Sequence, residues 1–329
     1  MKKRICALGL GLALLLSLCA CAGGEKAEDD GRVRVVALIF PEYDLAREVA
    51  GELANITMLL SPGEETHTFD PSPADMITIQ SADVFIYGGG ESDTWADDVL
   101  SSVDTEKMQL VKLMDCCDVL EEELGEGMQT EKEHGEHEHE SETEYDEHEH
   151  ESETEYDEHV WTSPVNAMKI VAAIADALCA ADAENAESYR ANAAAYTEKL
   201  SALDAELRAV ADSSARKTLV FGDRFPLLYF VREYGLDYYA AFPGCASNTE
   251  PSAETVAFLI DKVRGEGIPI VFKIELSSGQ TAELIAEESG ARVETFYSCH
   301  TVSRDDFKNG ETYLSLMGRN VELLREALN

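Results

Sequence analysis

The chain has 329 residues, with 65 acidic against 26 basic side chains and a formal net charge of −39. That balance excludes a nucleic-acid binder, which needs Lys and Arg clustered against phosphate, and it suits a protein that handles cations. The length allows two lobes with cores of their own.

At the start, Lys2, Lys3 and Arg4 form a basic region, and residues 5–18 are an apolar run. The run is too short to span a bilayer but fits the core of a signal peptide. It ends in Leu18-Cys19-Ala20-Cys21, which looks like a bacterial lipobox, with cleavage before a cysteine that then carries lipid. The expectation is a signal peptide over 1–20, lipid on Cys21, and a polar tether over 21–31. No later segment reads as long and apolar enough to cross a membrane. The rest therefore reads as a soluble body on the extracytoplasmic face of the cell membrane.

Residues 32–180 read as a first lobe. Short apolar runs at 33–40, 56–60, 83–87 and 109–112 are predicted strands, with helices at 44–53 and 74–81 between them. Strand and helix in alternation imply a parallel α/β arrangement. Residues 121–158 break the pattern with Glu, His, Asp, Ser, Thr, Tyr and Gly. The eleven residues EHESETEYDEH at 138–148 recur unchanged at 149–159. Such a tandem copy has too few apolar groups to offset its ordering entropy and reads as a disordered surface loop.

Helices follow at 165–180 and 184–212. The second carries Tyr189, Ala193, Tyr196, Leu200, Leu203, Leu207 and Val210 at alternating spacings of four and three, one continuous apolar stripe. At 1.5 Å per residue it is roughly 40 Å long, enough to run the length of a small domain. Residues 216–329 read as a second lobe, with strands at 218–221, 236–239, 269–274 and 292–297 and helices at 226–234, 252–264, 279–288 and 311–328. The fold class is thus α/β: two lobes joined by one long rigid helix. Ligands in such sheets bind in the crevice at the carboxyl ends of strands.

Five of the eight histidines, His134, His137, His139, His148 and His150, fall in the low-complexity loop, where they are expected to bind metal weakly. His67, His159 and His300 remain. His67 and His300 each follow a predicted strand, one per lobe, and none of the three sits in an apolar stripe. Three imidazoles with one carboxylate or water complete a zinc tetrahedron, although spacing alone leaves three unrelated surface histidines open. The cysteines offer no CxxC pair, which excludes a cysteine cage. Beyond the leader, Cys116, Cys117, Cys179, Cys245 and Cys299 are an odd set. Cys299 is expected to pair with Cys245 in a disulfide, with ligation of metal as the alternative.

The motifs around these histidines resemble the ZnuA/TroA-type solute-binding proteins of zinc and manganese ABC importers (cluster A-I). Pro62 to Pro73 (PGEETHTFDPSP) looks like the family's first-ligand motif. Asp157-Glu158-His159-Val160-Trp161 is similar to its second, and an acidic His-rich loop before it is typical of zinc-importing members. Tyr229-Phe230 with Tyr234-Gly235-Leu236 resembles the start of its second lobe, and Tyr313 to Asn320 its end. The resemblance implies metal held between two lobes. It places Arg224, which cannot bind a cation, at the third-ligand position, and His300 where an aspartate is common. Asp223 is then expected to serve beside His67, His159 and His300, the alternative being a turn or ion-pair role. Glu275 is expected to orient a ligand histidine rather than touch the metal.

The expected function follows: a monomeric capture protein, not an enzyme, that binds Zn2+ and delivers it to an ABC permease and its ATPase. Mn2+ or iron is the alternative cargo, favoured by carboxylate-rich sites. A zinc hydrolase would need a paired base, and no HExxH motif is present. A metal-binding surface adhesin is the remaining alternative.

Overall fold

The computed structural model describes residues 30–64, 69–128, 155–244 and 251–329. Residues 33–329 form one compact unit built on two four-stranded sheets, all of whose pairings are parallel. The first contains β1 (Val33–Ala37), β2 (Ala54–Met58), β3 (Val84–Tyr87) and β4 (Gln109–Lys112), in the order β2-β1-β3-β4. The second contains β5 (Thr218–Phe225), β6 (Asp237–Pro243), β7 (Ile270–Ile274) and β8 (Arg292–Phe296), in the matching order β6-β5-β7-β8. In each sheet the winding reverses beside the first strand. The carboxyl ends of β1 and β3, and of β5 and β7, therefore flank a crevice open to a ligand.

β1 ends three residues earlier than its apolar run, because a helix, Phe40–Ala50, starts there. Pro41 in its first turn has no N–H to give a sheet. The Glu42 carboxylate then accepts the Leu38 and Ile39 N–H groups at 2.7 and 3.1 Å. β5 runs longer than its predicted four residues and carries an irregularity between Phe221 and Arg224. Near the C-terminus the predicted 311–328 helix is Tyr313–Ala327, preceded by a short helix Arg304–Lys308.

The long helix is Ala186–Ser213, and all seven stripe residues are buried. It packs on Pro164–Ala181 and Phe40–Ala50 and on Leu228–Tyr234 and Tyr313–Ala327. Helix Pro164–Ala181 does have the length and apolar content of a membrane span, contrary to the reading above. It is a core helix, with Ile170, Val171, Ile174 and Leu178 fully buried.

Both ends of the predicted disordered loop are structured. Glu121 and Tyr156 form an antiparallel bridge, and Asp157 N donates to Leu120 O at 2.9 Å. Tyr229 clasps the pair: its hydroxyl accepts Leu120 N–H and donates to Asp157 O. Glu123 then pairs with Arg232 and Glu126 with Lys262, so the loop's first residues lie along the second lobe. Residues 129–154, with His134, His137, His139, His148 and His150, are outside the described residues, as is Cys21.

Candidate metal site

His159 and His300 meet at the crevice from opposite lobes. Their ring centroids are 4.8 Å apart at 83°, and Trp161 lies 5.4 Å from one ring and 5.2 Å from the other. Ligand atoms of Glu158, His159 and His300 all lie within 4.8 Å of one another, and all three residues are buried. Two imidazoles and a carboxylate at this separation can converge on one divalent cation, and the donor set suits zinc.

Each donor is held by a second contact. Asp157 Oδ1 accepts the His159 backbone N–H at 2.7 Å and lies 2.9 Å from Nδ1 of the same ring. A carboxylate there fixes the ring's orientation and puts the proton on Nδ1, which leaves Nε2 as the donor atom. Burial works against the charged ring, but the Asp157 carboxylate outweighs it and raises the His159 pKa above its usual value. Gly244, after β6, backs the same ring: its Cβ position is 3.2 Å from His159 Cε1.

His300 sits on a turn in which Cys299 adopts a left-handed φ of 58°. Glu275, just past β7, holds that turn: Oε2 accepts Ser298 N–H and Oε1 accepts Ser298 Oγ–H, at 2.9 and 2.7 Å. Ser298 Oγ in turn accepts the His300 N–H, and Trp161 Nε1 donates to Ser298 O. Burial pushes the Glu275 pKa up, and the Ser298 hydrogen bonds oppose it. Glu275 thus touches the turn that carries His300 and is not among the three residues of the metal group.

Glu158 arises from the chain segment that carries His159. Its oxygens accept the N–H and hydroxyl of Ser92, in the short turn Glu91–Asp93 of the first lobe. Beside it, Asp93 Oδ1 and Oδ2 both accept the Gly89 N–H at 3.0 Å. Burial raises the Glu42 pKa well above normal and the Asp93 pKa to about 6. Glu42, Gly88, Asp93, Glu158, Trp161 and His300 all line one cleft, with Phe69 at its edge.

Asp223, expected as the fourth ligand, is not in the group. Its Oδ1 accepts Arg224 N–H and its Oδ2 accepts Ile274 N–H, at 2.8 and 3.2 Å, which ties β5 to β7 at the irregularity. Cys299 is a free, buried thiol whose Sγ faces the Tyr313 carbonyl at 3.9 Å. It has no disulfide among the described residues and is not among the three residues of the metal group, and burial pushes its pKa far up. Cys245, its expected partner, lies outside the described residues. So does His67, but both described neighbours of its segment reach this region: Thr301 Oγ1 donates to Glu64 O at 3.3 Å, and Phe69 lines the cleft.

The sequence profile of the zinc-uptake complex component A family (ZnuA, periplasmic) matches residues 35–327. The chain belongs to the ZnuA family. It is 33% identical over 320 residues to the zinc-binding lipoprotein AdcA of Streptococcus pneumoniae serotype 4, covering 95% of this chain and 60% of that protein. The chain therefore spans less than two thirds of that relative. It is 28% identical to the high-affinity zinc uptake system protein ZnuA of Bacillus subtilis, covering 96% of this chain and 94% of that one. Among solved structures, the Zn(II)-bound ZnuA-like domain of S. pneumoniae AdcA superposes with a TM-score of 0.72 at 28% identity, covering 91% of this chain and 99% of that domain. The laminin-binding protein of Streptococcus agalactiae, at 23% identity and a TM-score of 0.72, shares the fold.

Of the residues singled out in the sequence, the structure brings His159 and His300 together and places Glu275 on the turn that carries His300. Glu158 as a donor and Asp157 as the group that orients His159 were missed, although both stand in the quoted motif. The same Asp-Glu-His occurs at 146–148 in the tandem copy, so the tripeptide itself carried no signal. What separates the two is the Val160-Trp161 that follows, which is buried and fixes the chain.

Proposed function

We propose that this chain captures Zn2+ outside the cytoplasm and delivers it to an ABC-type importer, without catalysing a reaction. The observation that carries the reading is the convergence of Glu158, His159 and His300 at the junction of the lobes. A site with ligands from both lobes is a means of sensing cargo, because only the closed arrangement satisfies the ion. His67, whose neighbours Glu64 and Phe69 flank the crevice, is the proposed further imidazole.

Two imidazoles and a carboxylate, with a third imidazole to come, form a set that suits zinc better than the harder Mn2+, which takes oxygen-rich sites. The zinc-binding names of the relatives agree with that choice. The Leu18-Cys19-Ala20-Cys21 run supports anchoring through lipid on Cys21. Delivery would be to a permease with its ATPase, the partners the family implies.

The test is competition for zinc against a chelator of known affinity, with the purified full chain. The expected result is one tight zinc, strongly weakened in His159→Ala, His300→Ala and His67→Ala. Unchanged tight binding in His159→Ala and His300→Ala would overturn the reading. Turnover of ester or amide substrates by the zinc-loaded protein would overturn its non-catalytic part.

A further inference from the structure

Glu42 is a fully buried carboxylate in the wall of the cleft. Its Oε2 accepts two backbone N–H groups, from Leu38 and Ile39. Its Oε1 is buried with no hydrogen-bond partner among the described residues. A buried carboxylate oxygen left in that state is costly and calls for a proton or a cation beside it. No Lys or Arg pairs with Glu42 among the described residues, and Arg47, on the same helix, is engaged by Asp44.

Asp93 is 4% exposed and faces the same space. Its oxygens accept the Gly89 N–H, with a further backbone contact from Gly88 and the charge of Lys112 nearby, and a carboxylate's four or so lone-pair sites still leave it acceptor capacity. Gly88 lies between the two acids. A Cβ built on it would sit 3.4 Å from Asp93 Oδ2 and 3.9 Å from Glu42 Oε1. The absence of a side chain at Gly88 therefore leaves both carboxylate oxygens uncovered on this side of the cleft.

We propose that this space is a second cation position beside the histidine site, held by Glu42 and Asp93, and that it takes a hard divalent cation such as Mn2+, Mg2+ or Ca2+. All its donors are oxygens, the chemistry that hard cations prefer and that zinc, with imidazoles next door, does not need. That Cβ position is one bond length from the Gly88 Cα, so an ion would stand further out in the cleft, in front of the two oxygens. The ion therefore keeps part of its water, as Mg2+-type sites with one or two carboxylates do. Glu158 lines the same cleft and belongs with the imidazoles of the zinc site. The position goes beyond zinc capture and does not depend on it.

The experiment is a Mn2+ titration of the zinc-loaded full chain, following the free-ion signal by electron paramagnetic resonance. It compares the native protein with Gly88→Ala, Glu42→Gln and Asp93→Asn. Gly88→Ala covers the two oxygens with a methyl at ordinary contact distances and leaves both acids in place. Glu42→Gln keeps an oxygen for the Leu38 and Ile39 N–H groups. Circular dichroism and thermal melting confirm that each variant is folded. The expected result is one Mn2+ equivalent bound by the native protein and lost, or weakened at least tenfold, in the variants, over a common background from the acidic loop. Identical isotherms in native and Gly88→Ala protein would overturn the proposal, as would release of stoichiometric zinc when Mn2+ binds, since Mn2+ would then be in the histidine site. Chelator competition in the same samples reads the zinc site separately. Absence of a tight zinc would sink the capture reading and leave the Mn2+ comparison intact.

Discussion

Gly90 and Glu158 occupy one space: a Cβ at position 90 would fall within the Glu158 side chain. Gly90 has extended backbone, with φ −95° and ψ −163°, so Ala suits its conformation and the obstacle is the Glu158 side chain, from its Cβ to its carboxylate. Gly90→Ala is expected to push Glu158 off Ser92 and out of the metal group while leaving its charge in place. Zinc affinity should drop by about tenfold or more, roughly 1.4 kcal/mol, as measured by chelator competition. Glu158→Gln should match it. Affinity unchanged in both would remove Glu158 from the site.

Asp157 acts on the metal through His159. Asp157→Asn keeps the shape but offers the ring a weaker, neutral partner, so the Nδ1 proton is no longer fixed. The expected loss of zinc affinity is on the order of 10- to 100-fold, the usual effect of removing a carboxylate behind a ligand histidine. His148, in the tandem copy, has the same preceding residues, and His148→Ala should change tight binding little. Comparable losses in Asp157→Asn and His148→Ala would mean that the loop, not the Asp157–His159 pair, sets affinity.

Glu275 and Asp223 are separable by readout. Glu275 makes two hydrogen bonds to Ser298 and so positions His300, whereas Asp223 joins β5 to β7. Glu275→Gln should weaken zinc with a modest effect on the melting temperature of the metal-free protein. Asp223→Ala should leave Ile274 N–H without its acceptor and cost about 1–3 kcal/mol of stability, with zinc affinity nearly unchanged in whatever fraction is folded. Tighter dependence of zinc on Asp223 than on Glu275 would restore Asp223 as a ligand.

The two-lobe plan was legible because the long helix and the buried strands are built on strong periodic patterns. Tyr189 to Val210 kept its stripe, and only the ends of elements moved. Those shifts have local causes that periodicity does not see: Glu42 capping the helix after β1, and the irregularity at Asp223 that lengthens β5. Of the three histidines singled out, the structure brings His159 and His300 together, and the family motifs rather than their spacing had picked them out. The carboxylates were not legible, in a chain with 65 acidic residues. Glu158 is set apart by the buried Val160-Trp161 that follows it and by the space that Gly90 leaves for it, which is a long-range packing fact. Asp223 was the natural choice by position, but the Arg224 N–H beside it in β5 takes one oxygen and the Ile274 N–H of β7 takes the other.

The root of the acidic loop yields the last expectation. Glu123 pairs with Arg232, Glu126 with Lys262, and Tyr238 donates to Glu123, so residues 120–128 are tied to the second lobe before the His-rich stretch begins. The other end is tied through Tyr229 to Asp157, two residues from His159. Replacing residues 129–154 with a short Gly/Ser linker should therefore remove the weak, multiple zinc sites and leave one tight zinc. Tyr229→Phe, which loses both hydroxyl contacts at the root, should instead weaken the tight site severalfold by loosening Asp157. Zinc stoichiometry and chelator competition on both variants decide the matter. Loss of the tight zinc in the linker variant, with Tyr229→Phe unaffected, would place the primary ligands in the loop and not at its root.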